Sequence, residues 1–368
     1  MRISEVSVFS YEAAYRFGTY TMSGGRAAKG HRAIVVRVRT DEGLEGWAET
    51  SPNGGDYLPS FFAGELAAVR ELAEAVIGCD PCTPAVVDAR MDRVLLSGMA
   101  AKSVLDFACW DVLGKAVDLP IHTLTGGQFA VDSPAFAVVG FGSPDSGVAQ
   151  ALGHVEAGVR ALQLKAGDDP YDDARRVQAI REAVPAEVEV WTDANAGWNL
   201  SEALTFMRLL GPSSTVSLEQ PCRTLADCAE VGRRAGVPVA VDECVFTVAD
   251  LTTAHAAGMT GVNIKPGRVG GLTKAKLMRD VAVALDMLVT VDDTWGGALV
   301  TAQNLQLAAT TRPERLRGVD VFSEFTEPLV ADVPRMGEDG RVAHPTGPGT
   351  GVTIDTELLG APLFVVRR

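Results

Sequence analysis

The sequence predicts an α/β protein in which an α+β domain precedes a parallel α/β barrel. Three observations lead to this fold class. The chain has 368 residues, which is too long for one small core and suits a barrel with a companion domain. Its first third shows strand patterns followed by helix patterns, without alternation. Beyond that point strands and helices alternate about every 25 residues, roughly the length of one strand, one helix and two loops in a parallel barrel.

Composition is that of an ordinary globular protein, with 47% hydrophobic and 22% charged residues. A net charge of -14 and the lack of a basic run argue against a nucleic-acid partner. No apolar run reaches the roughly eighteen residues of a membrane span, and the first residues lack the features of an export signal. The six cysteines are scattered, which favours reduced thiols. We therefore expect a cytoplasmic protein with a small-molecule substrate and no membrane partner.

The predicted α+β domain covers residues 1–125. Alternating apolar runs indicate an antiparallel sheet, and helical spacing of apolar residues follows from Phe61 to about Gly114. Asp106 and Asp111 lie near an apolar helix face, where we expect helix-capping or buried hydrogen-bonding roles rather than catalysis. The strand runs are ISEVSVFSY, RAIVVRVRT and LEGWAET.

Two polar loops of this domain are candidates for covering a site. The Gly-rich loop 19–30 is either a mobile lid or an ordinary hairpin connection, since both uses are typical of such sequences. It contains Tyr20, a candidate for the wall of a pocket. The second loop, SPNGGDYLPS at 51–60, contains Tyr57.

The barrel is predicted to cover residues 126–325, with PAFAVVG as its first strand, LVTV as its seventh and GVDVF as its eighth. The strands between them end in charged residues, which buried strands rarely contain. These ends are ALQLK at Lys165, VEVWTD at Asp193, TVSLE at Glu219, PVAVD at Asp242 and GVNIK at Lys265. The carboxyl ends of barrel strands form one rim, so these side chains should meet there. The tail, 326–368, is expected to pack back on the first domain.

Asp193, Glu219 and Asp242 come from three consecutive predicted strands and together offer an oxygen-rich site. Such a site suits a hard divalent cation, and Mg²⁺ is the default because it binds few protein carboxylates and keeps positions for substrate and water. Any one of these acids alone would more often cap a loop or pair with a neighbouring helix. Three in succession, flanked by lysines, favour the metal.

Lys165 and Lys265 lie on the predicted second and sixth strands, nearly opposite each other across the barrel. A strand-end lysine can also form a Schiff base or bind phosphate. Two lysines flanking a metal site instead indicate proton transfer, because the metal stabilises the enediolate left when an α-proton leaves a bound carboxylate. We expect one lysine, its pKa lowered by the cation and by burial, to take the proton. The other lysine would donate to the opposite face and so invert the carbon.

These residues carry a resemblance to the enolase superfamily, in its muconate lactonizing enzyme subgroup. The matching stretches are LQLKAG, TDANAGW, LEQPC, VDEC and NIKPGRVGGLTKA, and the resemblance covers nearly the whole chain. It implies a (β/α)₇β modified TIM barrel under a capping domain that the N-terminus and the C-terminal tail form together. The site residues that it implies are Mg²⁺ ligands at Asp193, Glu219 and Asp242, an acid/base pair at Lys165 and Lys265, and Asn195 near the metal.

Two positions separate the chain from other patterns of the family. The mandelate racemase subgroup would place a catalytic histidine at the end of strand seven, where this sequence reads VDDTW. The family usually has Lys-x-Lys on the second strand, whereas Gln163 occupies the first of those positions here. Loss of that positive charge weakens the reason for a lowered pKa at Lys165 and leaves the pH range of activity open.

The segment DDTWGGALVTA, with LEQPC and the Tyr57 loop, is similar to family members that act on proline betaines, hydroxyproline betaines and hydroxyprolines. Asp292 and Asp293 beside Trp295 suit a cationic or N-alkylated amino acid, because carboxylates and aromatic faces both attract ammonium. The alternative is that the two aspartates cap the next helix and the tryptophan is packing. The substrate-binding candidates are Tyr57, Asn195, Asp292, Asp293 and Trp295.

The sequence therefore predicts a Mg²⁺-dependent racemase or epimerase of an amino-acid derivative, of the proline betaine or hydroxyproline type. A dehydratase is the runner-up, in which a β-hydroxyl leaves after the α-proton, as in cis-3-hydroxyproline dehydration. Dipeptide epimerisation and cycloisomerisation use the same five residues. A Schiff-base aldolase and a non-catalytic binding protein stay open, although neither explains three carboxylates between two lysines. We also expect a homo-oligomer, a dimer or an octamer, since homo-oligomers are common in the resembled family.

Overall fold

The structure is a computed structural model that describes residues 1–52, 54–55, 57–211, 216–293 and 295–367. Asn53 and Asp56 of the predicted Tyr57 loop, and Thr294 of the predicted DDTW segment, lie outside the described residues. Within the described ranges, none of the helices combines the length and the apolar character that crossing a membrane requires.

The secondary structure follows the predicted order of a strand and helix domain before an alternating one. The strands are β1 (Ile3–Tyr15), β2 (Tyr20–Thr21), β3 (Ala27–Ala28), β4 (Gly30–Thr40), β5 (Glu45–Thr50), β6 (Asp132–Pro134), β7 (Ala137–Val139), β8 (Ala161–Lys165), β9 (Glu189–Asp193), β10 (Ser217–Glu219), β11 (Val239–Val241), β12 (Gly261–Ile264), β13 (Leu288–Val291), β14 (Leu316–Val319), β15 (Thr326–Glu327), β16 (Arg341–Ala343) and β17 (Phe364–Arg367). The α-helices are α1 (Phe62–Val76), α2 (Pro84–Val94), α3 (Met99–Ala116), α4 (Ile121–Leu124), α5 (Pro144–Glu156), α6 (Pro170–Ala183), α7 (Leu200–Leu210), α8 (Leu225–Ala235), α9 (Val248–Ala256), α10 (Pro266–Val269), α11 (Leu272–Ala284), α12 (Ala298–Ala309) and α13 (Thr356–Leu359).

Strands β7 to β14 form one sheet in which each strand is hydrogen-bonded to the next in chain order. All of these pairings are parallel. A parallel bridge between Ala135, just before β7, and Val319 of β14 joins the two edges of the sheet and closes it. Helices separate successive strands from β7 to β14. The predicted (β/α)₇β barrel is therefore confirmed.

Strand register brings the charged strand ends to one level. Asp193 of β9 pairs with Lys165 of β8 on one side and with Glu219 of β10 on the other. Asp242 and Lys265 come directly after β11 and β12. Partners in a parallel sheet point to the same face, so these side chains share the interior rim of the barrel. Their low exposure, 6% or less, shows that the rim is covered.

The cover is a capping domain built around β1. Its sheet has the order β15-β1-β4-β5, and β17 also pairs with β1. Because β15 and β17 come from the C-terminal segment, the tail completes the N-terminal sheet, as the fold prediction states. Glu5 of β1 ties the two ends together, since its carboxylate accepts hydrogen bonds from Arg37 at 2.9 Å and from Arg367 at 2.8 Å. The domain boundaries at residues 125 and 325 stay predictions.

Helix α3 of the capping domain contains two buried aspartates that bind different parts of the molecule. Asp111 accepts the backbone N–H groups of Trp47 at 2.8 Å and Thr350 at 2.7 Å. Asp106 accepts both the backbone N–H and the hydroxyl of Thr273 in α11. Both acids therefore make buried hydrogen bonds. Those of Asp111 link α3 to β5 and to the C-terminal segment, and those of Asp106 hold the cap on the barrel.

Candidate active site

The candidate site is a cavity between the carboxyl ends of the barrel strands and two loops of the capping domain. Both predicted lysines line it, together with Asp292, Asp293 and Trp295 after β13 and Tyr57 from the cap. The cavity is small, about 40 Å³. The three predicted metal ligands are hydrogen-bonded to residues of its wall.

Lys165 occupies one side of the cavity and is 6% exposed. Its Nζ donates to Asp193 Oδ2 at 2.6 Å and hydrogen-bonds with the hydroxyl of Tyr20 from the cap. The lysine is therefore held between the barrel rim and loop 19–30, called the lid loop below.

Lys265 lies four strands further round the barrel and is 5% exposed. Its Nζ donates to Asp292 Oδ2 at 2.5 Å and lies 3.4 Å from Asp242 Oδ2. The ring of Tyr57 is 5.8 Å away. Each lysine thus has one carboxylate partner at short distance and one tyrosine from the capping domain.

The lysine pKa values differ from the sequence prediction. Burial alone would lower them, as expected, but nearby acids outweigh burial. The charge of Asp193 raises the pKa of Lys165. The charges of Asp242 and Asp292 raise the pKa of Lys265 well above its ordinary value. In this arrangement the carboxylates are paired with the lysines themselves, and the lower pKa expected for a lysine beside a bound cation stays a prediction.

Glu219 is held at the centre of the barrel by three uncharged donors. It accepts hydrogen bonds from Gln163 Nε2 at 3.1 Å, Trp191 Nε1 at 2.7 Å and Asn263 Nδ2 at 2.9 Å. Gln163 therefore replaces the expected lysine with an amide that positions Glu219 without neutralising it. Because strand side chains alternate, Gln163 points to the same side of β8 as Lys165.

Asp193 and Asp242 each bind a different partner. Asn195 donates its backbone N–H and its Nδ2 to Asp193 at 2.8 Å and 2.9 Å. Arg268 forms an ion pair with Asp242, and the Tyr57 hydroxyl donates to the other oxygen of Asp242 at 3.2 Å. The structure thus places Asn195 against a predicted metal ligand, and its contact with a substrate stays a prediction.

The three predicted metal ligands do not surround one point as they stand. Among the described residues, no three His, Cys, Asp or Glu side chains are arranged to hold a metal ion; the carboxylates face Lys165, Arg268 and uncharged donors instead. Their chemistry still fits a hard cation, since they are neighbouring carboxylates with at most 1% exposure. Burial, together with the charges of Asp193 and Asp242, raises the pKa of Glu219 to about 7. Glu219 accepts only from uncharged donors, so a divalent cation bound beside it would stabilise its ionised form.

Asp292 and Asp293 do not cap the next helix. The N-cap of α12 is Gly297, whose N–H donates to Glu49 Oε1 at 2.9 Å. Asp292 instead accepts from Lys265 and from Asn263 Nδ2 at 2.9 Å. The capping alternative is therefore wrong, and both aspartates face the cavity.

Trp295 combines the two roles that the sequence leaves open. It is 7% exposed, stacks on Tyr15 with ring centroids 5.3 Å apart and meets the ring of Tyr20 edge-on at 4.4 Å. It also forms part of the cavity wall. The tryptophan therefore packs in an aromatic cluster and presents an aromatic surface to the site.

Asp320 lines the cavity but is not among the residues that the sequence predicts. It follows β14 directly and hydrogen-bonds with Asp292. Burial and the charge of Asp292 raise the pKa of Asp320 well above its ordinary value. The sequence could have indicated Asp320, because the predicted eighth strand, GVDVF, contains this acid at the position where the other strands end in charged residues.

Arg268 is a second residue that the sequence reasoning missed. It lies in the stretch NIKPGRVGGLTKA and is 4% exposed. Its guanidinium also donates to the backbone carbonyl of Asn263 at 2.6 Å. A buried arginine needs an acid partner, but the sequence cannot show that the partner is Asp242, 26 residues earlier.

The loop 19–30 closes over the cavity and contains a small hairpin, β2 paired with β3. Ser23 is fully buried. The Gly24 N–H donates to Asp168 Oδ1 at 3.0 Å, and Arg26 donates to the backbone carbonyl of Asn195 at 3.2 Å. The loop is therefore a hairpin connection seated on the barrel, and its mobility as a lid stays a prediction.

Comparisons with known proteins agree with this architecture. Residues 5–126 match the family model described as "Mandelate racemase / muconate lactonizing enzyme, N-terminal domain". Residues 147–358 match the model described as "Enolase C-terminal domain-like". The two matches together cover most of the chain.

Individual relatives span several reactions. The chain is 35% identical over 366 residues to a cis-3-hydroxy-L-proline dehydratase of Roseibium aggregatum, with 99% of each chain covered. It is 25% identical over 338 residues to an N-succinyl-L-Arg/Lys racemase of Bacillus cereus, with 89% of each covered. A crystal structure of an enolase superfamily member from Roseovarius nubinhibens ISM, complexed with magnesium, is 32% identical, covers 100% of both chains and has a TM-score of 0.94.

Proposed function

Since the chain belongs to the mandelate racemase and muconate lactonizing enzyme family of the enolase superfamily, we propose that it is a Mg²⁺-dependent enzyme that removes the α-proton of a proline-type amino acid. Our first candidate for the overall reaction is dehydration of a 3-hydroxylated proline. Racemisation or epimerisation at the α-carbon is the second candidate.

One observation carries the proposal: the two buried lysines line the same cavity from the second and sixth strands of an eight-stranded barrel. Strands four apart in such a barrel lie on opposite sides. A flat substrate between Lys165 and Lys265 therefore has an amine on each face. Either lysine is then placed to take the α-proton of one enantiomer, and the other to return a proton to the opposite face.

Asp193, Glu219 and Asp242 would hold the Mg²⁺, which supplies charge stabilisation for the enediolate when it is bound. The structural neighbour crystallised with magnesium supports this assignment. Gln163, through its hydrogen bond at 3.1 Å, holds Glu219 in the barrel interior. Arg268 does the same for Asp242.

The cavity favours a small cationic amino acid. The cavity, at about 40 Å³, would have to widen for any amino acid, and least for a compact one rather than a dipeptide or an N-succinyl amino acid. Asp292 and Asp293 line one part of the wall, and carboxylates stabilise a substrate ammonium group. Trp295 lies beside them and adds an aromatic surface that attracts the same cation.

The order of the two candidate reactions rests on the relatives. The sequence alone favours inversion, because it contains one base for each face. The relative that is 35% identical over nearly the whole chain is a dehydratase of cis-3-hydroxy-L-proline, whereas the racemase is 25% identical. We therefore place dehydration first and keep inversion as the outcome for substrates that lack a β-hydroxyl.

Proton NMR in deuterated buffer with Mg²⁺ tests the proposal. cis-3-Hydroxy-L-proline should lose its α-proton and one water, giving a pyrroline-2-carboxylate, while L-proline and proline betaine should take up deuterium at the α-carbon. EDTA should stop both reactions. No exchange with any of these compounds, by an enzyme shown to bind Mg²⁺, would refute proton abstraction from this substrate class.

A further inference from the structure

Asp320 and Asp292 form a carboxyl pair across the last two barrel strands, after β14 and β13. Their side chains are hydrogen-bonded to each other. A carboxylate has only acceptor atoms, so a hydrogen bond between two carboxyl groups requires that one of them keeps its proton. The pair lines the cavity, so this proton lies at the cavity wall.

The neighbours of the pair decide which acid keeps the proton. Lys265 and Asn263, both from the β12 side, donate to Asp292 at 2.5 Å and 2.9 Å. The N–H of Asp293 donates to the other Asp292 oxygen at 2.7 Å. Asp292 is thus an acceptor at both oxygens, and the proton of the pair lies on Asp320.

The surroundings of Asp320 combine the charges of Asp292, Asp293 and Lys265 with apolar side chains. Phe136 and Val138 from the β7 side and Phe322 from the β14 side share its cavity wall, and Tyr20 faces it from the cap. Such a setting disfavours a second negative charge next to Asp292, and burial raises the pKa of Asp320 accordingly. A neutral carboxylic acid at this place can donate a proton to a substrate group.

We propose that Asp320 is the general acid that protonates the departing hydroxyl when the enzyme dehydrates a 3-hydroxylated proline. The inference rests on the proposed function. A lysine takes the α-proton, and the electron pair of that C–H bond forms the double bond between the α- and β-carbons. The C–O bond breaks with its electron pair on oxygen, which receives the Asp320 proton and leaves as water. The amino acid becomes a 2,3-dehydro amino acid, and Asp320 becomes a carboxylate.

Hydroxide is a poor leaving group, so the reaction needs such a donor. Lys165 and Lys265 are each hydrogen-bonded to a carboxylate at 2.6 Å or less and serve the α-carbon. Asp320 lines the cavity without belonging to the lysine pair. Inversion needs only the lysines, whereas dehydration also needs an acid. Loss of the Asp320 proton should therefore slow dehydration and leave inversion unchanged.

The test compares the Mg²⁺-loaded wild type with Asp320→Asn on two substrates, cis-3-hydroxy-L-proline and cis-3-chloro-L-proline. The asparagine amide can still donate to Asp292, so the packing of Lys265 is retained. General acids typically contribute about 10²- to 10⁴-fold, and we expect water loss to slow by at least about 10²-fold. Uptake of α-deuterium from L-proline and chloride release should change by less than about threefold, because chloride leaves without a proton.

Asp320→Glu is the matched variant, because it keeps the acid while changing its position. It should retain more dehydration than Asp320→Asn, with the same melting temperature for both. Equal loss of deuterium uptake, chloride release and water loss in Asp320→Asn would show a structural or binding role and overturn the inference. So would unchanged dehydration.

The wild type alone reports on the proposed function. If it exchanges the α-proton but releases neither water nor chloride, dehydration is refuted and the Asp320 assignment falls with it, while proton abstraction stands. If the wild type dehydrates and Asp320→Asn dehydrates equally well, only the Asp320 assignment fails.

Discussion

Ser23 of the lid loop packs directly against Gly197 of the barrel: a β-carbon added to Gly197 would lie 2.9 Å from the Ser23 β-carbon. A β-carbon at Gly167, whose φ is +108°, would meet the same atom at the same distance. The two glycines therefore form a socket that accepts Ser23 and little more. The lid closes over the lysines because this socket is free of side chains.

Enlarging Ser23 should hold the lid open. We expect Ser23→Leu to lower kcat/KM by about 10- to 100-fold, because the loop that carries Tyr20 can no longer reach its place beside Lys165. Ala27→Leu in the same loop is the control, since Ala27 is exposed. Steady-state kinetics and limited proteolysis of the loop would measure the effect, and equal activity of the two variants would contradict it.

Removing either lysine should abolish exchange from one face only. In deuterated buffer, Lys165→Ala and Lys265→Ala should each lose at least about 10²-fold of α-proton exchange, one with L-proline and the other with D-proline. The surface variant Lys276→Ala is the control. Chiral chromatography and NMR would follow the two enantiomers. Loss of exchange from both enantiomers in both variants would argue against bases on opposite faces.

Mg²⁺ affinity should fall in acid because Glu219 must be ionised to bind it. Its pKa is raised to about 7 by burial and by Asp193 and Asp242, so protons compete with the metal below that pH. We expect affinity to drop up to about tenfold for each pH unit below 7. Calorimetric titration between pH 5 and 8 would show it.

Gln163→Lys provides the matched comparison for that titration. A lysine beside Glu219 adds a positive charge and should lower its pKa, which moves the acid limb of the Mg²⁺ affinity profile to lower pH. The affinity above pH 7 should fall, because the ammonium group repels the cation. An unchanged profile would mean that Glu219 does not control metal binding.

Stability should be lost in acid through Glu5. Burial tends to raise its pKa, but hydrogen bonds from Ser7, Arg367 and Arg37 outweigh burial and lower it to about 2. The stabilisation is therefore complete above the unfolded pKa, about 4.5, and is lost as pH falls toward 2. Glu5→Gln should cost about 1–3 kcal/mol at pH 7. Denaturant unfolding at pH 7 and pH 3 should show a smaller difference for the variant than for the wild type.

The sequence by itself determined the barrel and its rim. Strand and helix patterns that alternate at one period are a local property of the chain, and Lys165, Asp193 and Glu219 each end a short apolar run. Because parallel strands present their carboxyl ends at one edge, the positions of these three residues in the sequence are enough to predict that their side chains meet. Family membership followed from the same motifs.

Only the tertiary structure decided how these side chains pair. Asp292 hydrogen-bonds with Asp320, Gln163 hydrogen-bonds with Glu219, and Ser23 packs against the two glycines. In each case the partners are far apart in the sequence. Hydrogen bonds, burial and charge act over a few ångströms, so they depend on which strands and loops become neighbours. Periodicity cannot supply those distances, and for that reason the raised lysine pKa values and the proton held by the Asp320 pair appear only once the chain is folded.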